Sequence, residues 1–316
     1  MVIRLDQMRK KALEKQGYKL VGEHSAVKLC HWMRQSLYYD RPCYKQTFYG
    51  IESHRCVQMT PAVDWCSENC TFCWRAQGWQ GDKIPQEDEA ADILEGSITA
   101  QRELLTGFKG DSRTDMKKWL DAQQPKHMAI SLTGEPTLYG KLDDLLAEAK
   151  KRKISTFVVT NGTNPEALEK LTVLPTQLYV TVAAPNEKLF NEILNPIYKD
   201  GWERLNRTLE MLPSLDTRTV IRHTLVKNFN LGYVEEYYRL DRKADPDFIE
   251  NKGYVHVGGS KNRLSITDMP SHEEIRDFSF RLNGYLNYDF GGERVDSRIV
   301  LLSKDRRKNM IDFSAL

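Results

Sequence analysis

The sequence predicts an α/β protein: a parallel sheet curled into a partial (β/α)6 barrel, with a cysteine-rich N-terminal segment and a C-terminal extension. Three observations point there. Six apolar, strand-like runs occur, and helix-patterned stretches alternate with the later five. Polar turns follow three of the runs: a cysteine-bearing loop after 56–60 and glycine-bearing turns after 127–132 and 156–160. Composition adds that 316 residues, 40% hydrophobic and 28% charged, suffice for a large core. The net charge of +2 does not by itself imply nucleic acid.

Taken in order, Met1 to Gly22 reads as a helix, with Leu5, Met8, Ala12 and Leu13 at helical spacing and Gly17 or Gly22 as its end. It is charged and has no apolar core, so no secretion signal is expected. No apolar run approaches the ~20 residues of a membrane span. His24 to Arg55 is rich in cysteine and aromatics. The first strand, Cys56–Thr60, leads into a loop and a glycine-rich turn at Gly78, Gly81 and Pro85, then an amphipathic helix over Glu87–Phe108 and a shorter helical face within Asp111–Gln124. Strands are expected at 127–132, 156–160, 177–183, 218–226 and 247–257, with helices at 142–152, 164–171, 187–194, 202–212 and 231–240. Ser271–Glu274 is a capping box that starts a helix through Leu286. Tyr288–Phe290 and Arg298–Leu302, joined through Gly291 and Gly292, read as a terminal hairpin. With no repeat or linker, a single domain is expected: 1–55 as the N-terminal segment, 56–260 as the barrel and 261–316 as the extension.

The six cysteines are Cys30, Cys43, Cys56, Cys66, Cys70 and Cys73, and none follows Cys73. Thiols used as small core hydrophobes would be scattered, and disulfides suit an oxidising compartment rather than the reducing cytoplasm expected here. The clustering points to metal. Cys66, Cys70 and Cys73 lie within eight residues of loop after the first strand. Three soft thiolates with no nearby fourth can hold three irons of one [4Fe–4S] cube and leave one iron open. Structural zinc prefers two ligand pairs; zinc and unligated buried thiols are the alternatives. Cys30, Cys43 and Cys56 have twelve residues between neighbours, enough for a second such cluster, or for a few buried thiols.

In parallel α/β folds ligands bind at the C-terminal ends of strands, so the cysteine loop falls at that rim. Thr133-Gly134-Glu135 and Thr160-Asn161-Gly162 end two further strands there. The glycines permit close backbone approach to a ligand. Taken alone, either turn is ordinary strand-to-helix chemistry, and Glu135 is equally a carboxylate favoured at a helix start.

The C-x3-C-x2-C spacing, with Phe72 before the last cysteine, resembles that of the radical S-adenosylmethionine (SAM) enzymes. His54-Arg55-Cys56, Met59-Thr60-Pro61, Cys66 through Arg75, Ser131 through Tyr139 and Thr160-Asn161-Gly162 resemble the archaeal wyosine-base synthases within that superfamily. Val27 through Cys30, Cys43-Tyr44-Lys45, Tyr254 through Gly258 and Arg263-Leu264 extend the likeness from about His24 to Arg298. Ala183 departs from it, standing where many relatives have Asp.

The resemblance implies a tRNA-modifying carbon–carbon lyase. It would condense N1-methylguanosine at position 37 of tRNA-Phe with pyruvate to form 4-demethylwyosine, through a 5′-deoxyadenosyl radical. Cys66, Cys70 and Cys73 would hold the SAM-binding [4Fe–4S] cluster, and Cys30, Cys43 and Cys56 a second one. Phe72, Thr133, Gly134, Glu135, Thr160 and Asn161 would bind SAM. Arg222 or His223 would meet a carboxylate or phosphate, unless the arginine pairs with a buried glutamate. Pyruvate would be held by a Schiff base at Lys45 or by the open iron of the second cluster. Because eukaryotic relatives carry a flavodoxin-like domain, an external ferredoxin or flavodoxin is the implied electron donor to a cytoplasmic monomer. Trp74, Trp79, Arg75 and the basic runs Lys150–Lys153, Lys261–Arg263 and Lys304–Lys308 are candidates for tRNA contact. Charge reversal at Lys261 and Arg263 is expected to weaken tRNA binding without touching SAM cleavage. A radical SAM enzyme acting on a peptide or small metabolite, and a zinc-stabilised RNA-binding protein, are the competing readings.

Overall fold

The computed structural model describes residues 5–75 and 81–315 and builds them around one ten-stranded sheet. A short antiparallel hairpin, β1 (Lys19–Val21) and β2 (Ser25–Val27), pairs onto β3 (Cys56–Thr60). From there the strands follow in chain order and in parallel: β4 (His127–Ile130), β5 (Ser155–Thr160), β6 (Gln177–Thr181), β7 (Arg218–Leu225) and β8 (Phe248–Gly253). At the far edge β9 (Asp289–Arg294) and β10 (Ile299–Ser303) add antiparallel strands in the order β8-β10-β9.

Helices α1 (Gln7–Lys15), α2 (His31–Tyr39), α3 (Tyr44–Tyr49), α4 (Ala90–Leu105) and α5 (Met116–Asp121) precede β4. Then α6 (Leu142–Lys151), α7 (Pro165–Glu169), α8 (Glu187–Leu194), α9 (Gly201–Met211), α10 (Val234–Ala244) and α11 (His272–Leu286) connect the later strands. The capping box at Ser271 and Glu274 forms as read from sequence.

The strands are buried on both faces, and alternation sorts them into two cores. Val57, Met128, Val158, Val180 and Ile221 face the helices. Phe157, Tyr179, Val220 and Phe248 face inward and pack on Tyr44, Phe48 and Tyr49 of α3. One cavity of about 490 Å3 takes side chains from all six parallel strands: Gln58, Ala129, Val159, Thr181, Arg222 and Lys252 among them. Six strands can share one cavity only if the sheet is curled. The partial barrel is therefore the observed fold, and α3 plugs its inside.

The sheet edges differ from expectation. Of the two glycines expected to end the first helix it is Gly17 that does so: the helix stops at Lys15, Gly17 turns at φ 85°, and Lys19–Val21 then joins the sheet. The expected 177–183, 218–226 and 247–257 strands stop at Thr181, Leu225 and Gly253. Gly291 and Gly292 lie within β9, and the hairpin turns at Val295–Arg298 instead. A β-carbon on Gly291 would sit 2.4 Å from Ser303 Oγ, so the glycine answers to close packing on β10.

Candidate active site and metal centres

All six cysteines line the inner cavity, and among the described residues none is joined in a disulfide. Cys30 is the N-cap of α2 and Cys43 the N-cap of α3. Backbone N–H groups at those helix starts favour the thiolate. Burial outweighs them and pushes Cys43 up to about 12, and Cys56 likewise to about 12. Cys30, Cys43 and Cys56 act on one another electrostatically and on Lys45, so the topology gathers three residues that the sequence spreads over 27 positions.

The Cys66–Cys73 loop leaves β3 and is held from several sides. Thr71 N donates to Ile193 O at 2.8 Å and Asn69 N to Leu194 O at 2.9 Å, tying it to the end of α8. Glu135 N donates to Trp65 O at 2.9 Å, and Ser67 Oγ meets Thr163 Oγ1 at 2.7 Å. Gly134 turns at φ 69°, and a β-carbon there would lie 1.7 Å from Ala62 O and 2.6 Å from Trp65 O. Only glycine allows the β4 rim loop to lie against the cysteine loop. Burial pushes the Cys66 thiol up to about 11. Burial also lifts Glu68, at the loop's centre, to about 8, and Cys70 Sγ donates to it at 3.2 Å.

Three thiols brought together on the Cys66–Cys73 loop fit three irons of one [4Fe–4S] cube. The described residues contain no group of three His, Cys, Asp or Glu close enough to share a single ion. A tetrahedral zinc would need one; a cube holds each ligand on a separate iron. Iron would keep as thiolates the groups that burial otherwise protonates.

Glu135 is buried, and its carboxylate accepts from Thr137 N at 3.0 Å, Thr137 Oγ1 at 2.7 Å, Thr160 Oγ1 at 2.7 Å and Asn161 N at 2.8 Å. It therefore ties the β4 and β5 rim loops together while lining the cavity. Asn161 Nδ2 donates to Ser67 Oγ at 2.8 Å. Phe72, Thr133, Gly134, Thr160 and Asn161 line the same space. Lys45, on the inward face of α3, is 7% exposed. Its Nζ lies 4.2 Å from the Tyr179 ring centre and 4.7 Å from that of Phe157. Burial lowers its pKa to about 8.

Several sequence assignments change. Arg222 points inward but is taken by Glu250, at 2.7 and 3.0 Å, and by Tyr44 Oη at 2.6 Å; of the two readings, the buried pair holds. His223, one residue on, faces the helices and meets Asp241 at 3.0 Å. Arg75 is buried with Nε 2.9 Å from Cys73 Sγ, so it serves the cysteine loop rather than RNA. Arg263 is no free surface charge: its Nε donates to Thr71 O at 3.0 Å and its Nη2 to Cys73 O. Arg152 pairs with Glu95, Lys304 with Asp245 and Arg307 with Asp305. Trp74 stacks on Tyr18 with Lys28 over both rings. Trp79 and Gly78 lie outside the described residues. Ala183 is fully buried on the helix side. A surface groove of about 770 Å3 near Trp202 and Tyr285 contains none of the cysteines.

Sequence reading missed Glu250 and Lys252. Both line or border the cavity from β8, and Lys252 is also lowered to about 8 by burial. The signal was there: two opposite charges at i and i+2 in a strand buried on both faces.

A curled parallel sheet with a three-cysteine loop after its first strand defines a radical SAM protein, and residues 60–240 match the radical SAM superfamily model. Residues 243–304 match a second model, described as wyosine base formation. An S-adenosyl-L-methionine-dependent tRNA 4-demethylwyosine synthase of Pyrococcus abyssi is 51% identical over 92% of this chain and 87% of its own. The corresponding Methanocaldococcus jannaschii protein is 41% identical over 94% and 96%. A solved structure, "Structure of TYW1 with a lysine-pyruvate adduct bound", superposes with a TM-score of 0.88 at 38% identity, covering 99% of both chains. This chain belongs to the family of radical SAM tRNA 4-demethylwyosine synthases.

Proposed function

We propose that this protein condenses N1-methylguanosine at position 37 of tRNA-Phe with pyruvate to give 4-demethylwyosine. The observation that carries the reading is the meeting of both cysteine triads and Lys45 in one cavity. Cys66, Cys70 and Cys73 hold one [4Fe–4S] cluster, and Cys30, Cys43 and Cys56 hold a second. Held by Cys66, Cys70 and Cys73, the first cluster would supply, once reduced, the electron for reductive cleavage of SAM.

The protein's part is to place reactants and exclude water. Gly134 lets the β4 loop close on the cysteine loop, and Glu135 presents a carboxylate, already fixed by four donors, to the SAM ammonium. Phe72, Thr133, Thr160 and Asn161 complete the SAM wall. Lys45 attacks the keto carbon of pyruvate and loses water to form an imine. Its support is geometric: among the described residues no oxygen accepts from its Nζ, which rests on two aromatic rings. A relative whose description names a lysine–pyruvate adduct shares this fold. The target base must leave the anticodon stack, at a cost of a few kcal/mol. Electrons come from an external ferredoxin or flavodoxin, and the protein acts as a cytoplasmic monomer.

The test is anaerobic incubation of the reconstituted protein with N1-methylated tRNA, SAM, pyruvate and a reductant, followed by nucleoside mass analysis. A tricyclic base dependent on pyruvate supports the proposal. Cleavage of SAM with no change to the tRNA, under conditions that saturate pyruvate, counts against it.

A further inference from the structure

The end of the cavity near Cys43 gathers basic side chains. Lys45, Arg222 and Lys252 line it, and Glu250 is ion-paired to Arg222 while accepting from Tyr44 Oη and Tyr49 Oη. Neither lysine forms an ion pair among the described residues. Two amines that face one cavity with no ion-pair partner offer N–H donors to an anionic occupant. A carboxylate fits that description.

The two amines are not equivalent. Lys252 Nζ donates to Ser297 O at 2.8 Å and sits 5.7 Å from the Tyr44 ring centre. One of its three donors is used to fix it, and the others remain for the cavity. Thr224, which also lines the cavity, is its register partner across β7 and β8. An amine that donates to a carbonyl loses that bond on becoming an imine. Lys45 has no such acceptor to lose.

We infer that Lys252, with Thr224 beside it, is the carboxylate-binding residue for the 2-oxo acid, leaving Lys45 to take the keto carbon. The inference rests on the proposed function above and adds its specificity. A small 2-oxo acid offers Lys252 a carboxylate acceptor while its keto carbon goes to Lys45, whereas a neutral ketone offers Lys252 none. The site therefore selects acids over neutral carbonyls of the same size.

The test is hydride trapping with cyanoborohydride on the anaerobically reconstituted full chain, read by intact mass and peptide mapping. Pyruvate and the neutral ketone hydroxyacetone are titrated separately. Wild type should trap pyruvate on Lys45. Lys252→Met should need about 10-fold more pyruvate or higher for half-maximal trapping, the loss of one charge-assisted contact, and trap hydroxyacetone as wild type does. Lys252→Arg should recover most of the pyruvate affinity. SAM binding should be equal in all three, which separates this carboxylate from that of SAM. If Lys252→Met traps pyruvate with the wild-type concentration dependence, or loses both carbonyls equally, the inference fails while the Lys45 assignment stands. If wild type yields no Lys45 adduct, or the adduct maps to Lys252, both fail together.

Discussion

Gly134 and Glu250 show how differently single residues announce themselves. A β-carbon at Gly134 would overlap the backbone oxygens of Ala62 and Trp65, and its φ of 69° is in the left-handed region. The glycine was legible because a polar turn after a buried strand needs such a residue when a ligand or another loop comes close. Gly134→Ala should cost about 3 kcal/mol or more, since neither carbonyl belongs to a flexible side chain. Thermal unfolding of the apoprotein and equilibrium SAM binding check this: both should fall, with far-ultraviolet circular dichroism unchanged. Glu250 was not legible as a partner of Arg222. The two are 28 positions apart in sequence, and only the parallel register of β7 and β8 sets them side by side. A slip of β8 by one residue would turn Glu250 to the helix side and leave Arg222 without it.

At the scale of elements, the six parallel strands and most of their helices were readable, because apolar runs alternating with 3.6-residue patterns are strong signals. The N-terminal edge strands were not. β1 and β2 are three residues each, too short to show a period, and both are formed by pairing rather than by propensity. The placement of α3 inside the barrel was equally hidden, since Tyr44, Lys45, Phe48 and Tyr49 read only as an aromatic-rich stretch. The cysteine loop was found, but its clamp was not. Arg263 reaches back 192 positions to Thr71 O and 190 to Cys73 O. Arg263→Ala should thus impair the loop itself, with at least a several-fold loss of iron retained at the first triad and of tRNA-independent SAM cleavage. Lys261→Glu, at an exposed neighbour, should leave both unchanged. Equal effects of the two variants in a 5′-deoxyadenosine assay would contradict the clamp.

Across the whole molecule, His127 links the sheet to acid stability. Its Nε2 accepts from Glu52 N at 3.0 Å and its Nδ1 meets Ser155 Oγ at 2.7 Å, so the buried ring is neutral. Burial lowers its pKa from 6.5 to about 4. The unfolded chain then binds more protons between those values. Stability should be intact above pH 6.5 and fall as the pH drops toward 4, by about 3 kcal/mol from this group. Denaturant titrations of the apoprotein at pH 7 and pH 4.5 should show that loss, and His127→Gln should flatten it.

The largest-scale feature is that two distant cysteine triads open on one space inside the curled sheet. The sequence showed both sets of spacings; that they line one cavity together with Lys45 needed the fold. Iron and acid-labile sulfide per chain, measured after anaerobic reconstitution, test this most directly. Wild type should bind about eight irons, two cubes of four. Replacing Cys66, Cys70 and Cys73 by alanine, or Cys30, Cys43 and Cys56 by alanine, should leave about four in each case. A wild type that binds only about four irons, and keeps them when Cys30, Cys43 and Cys56 are removed, would contradict the two-centre account.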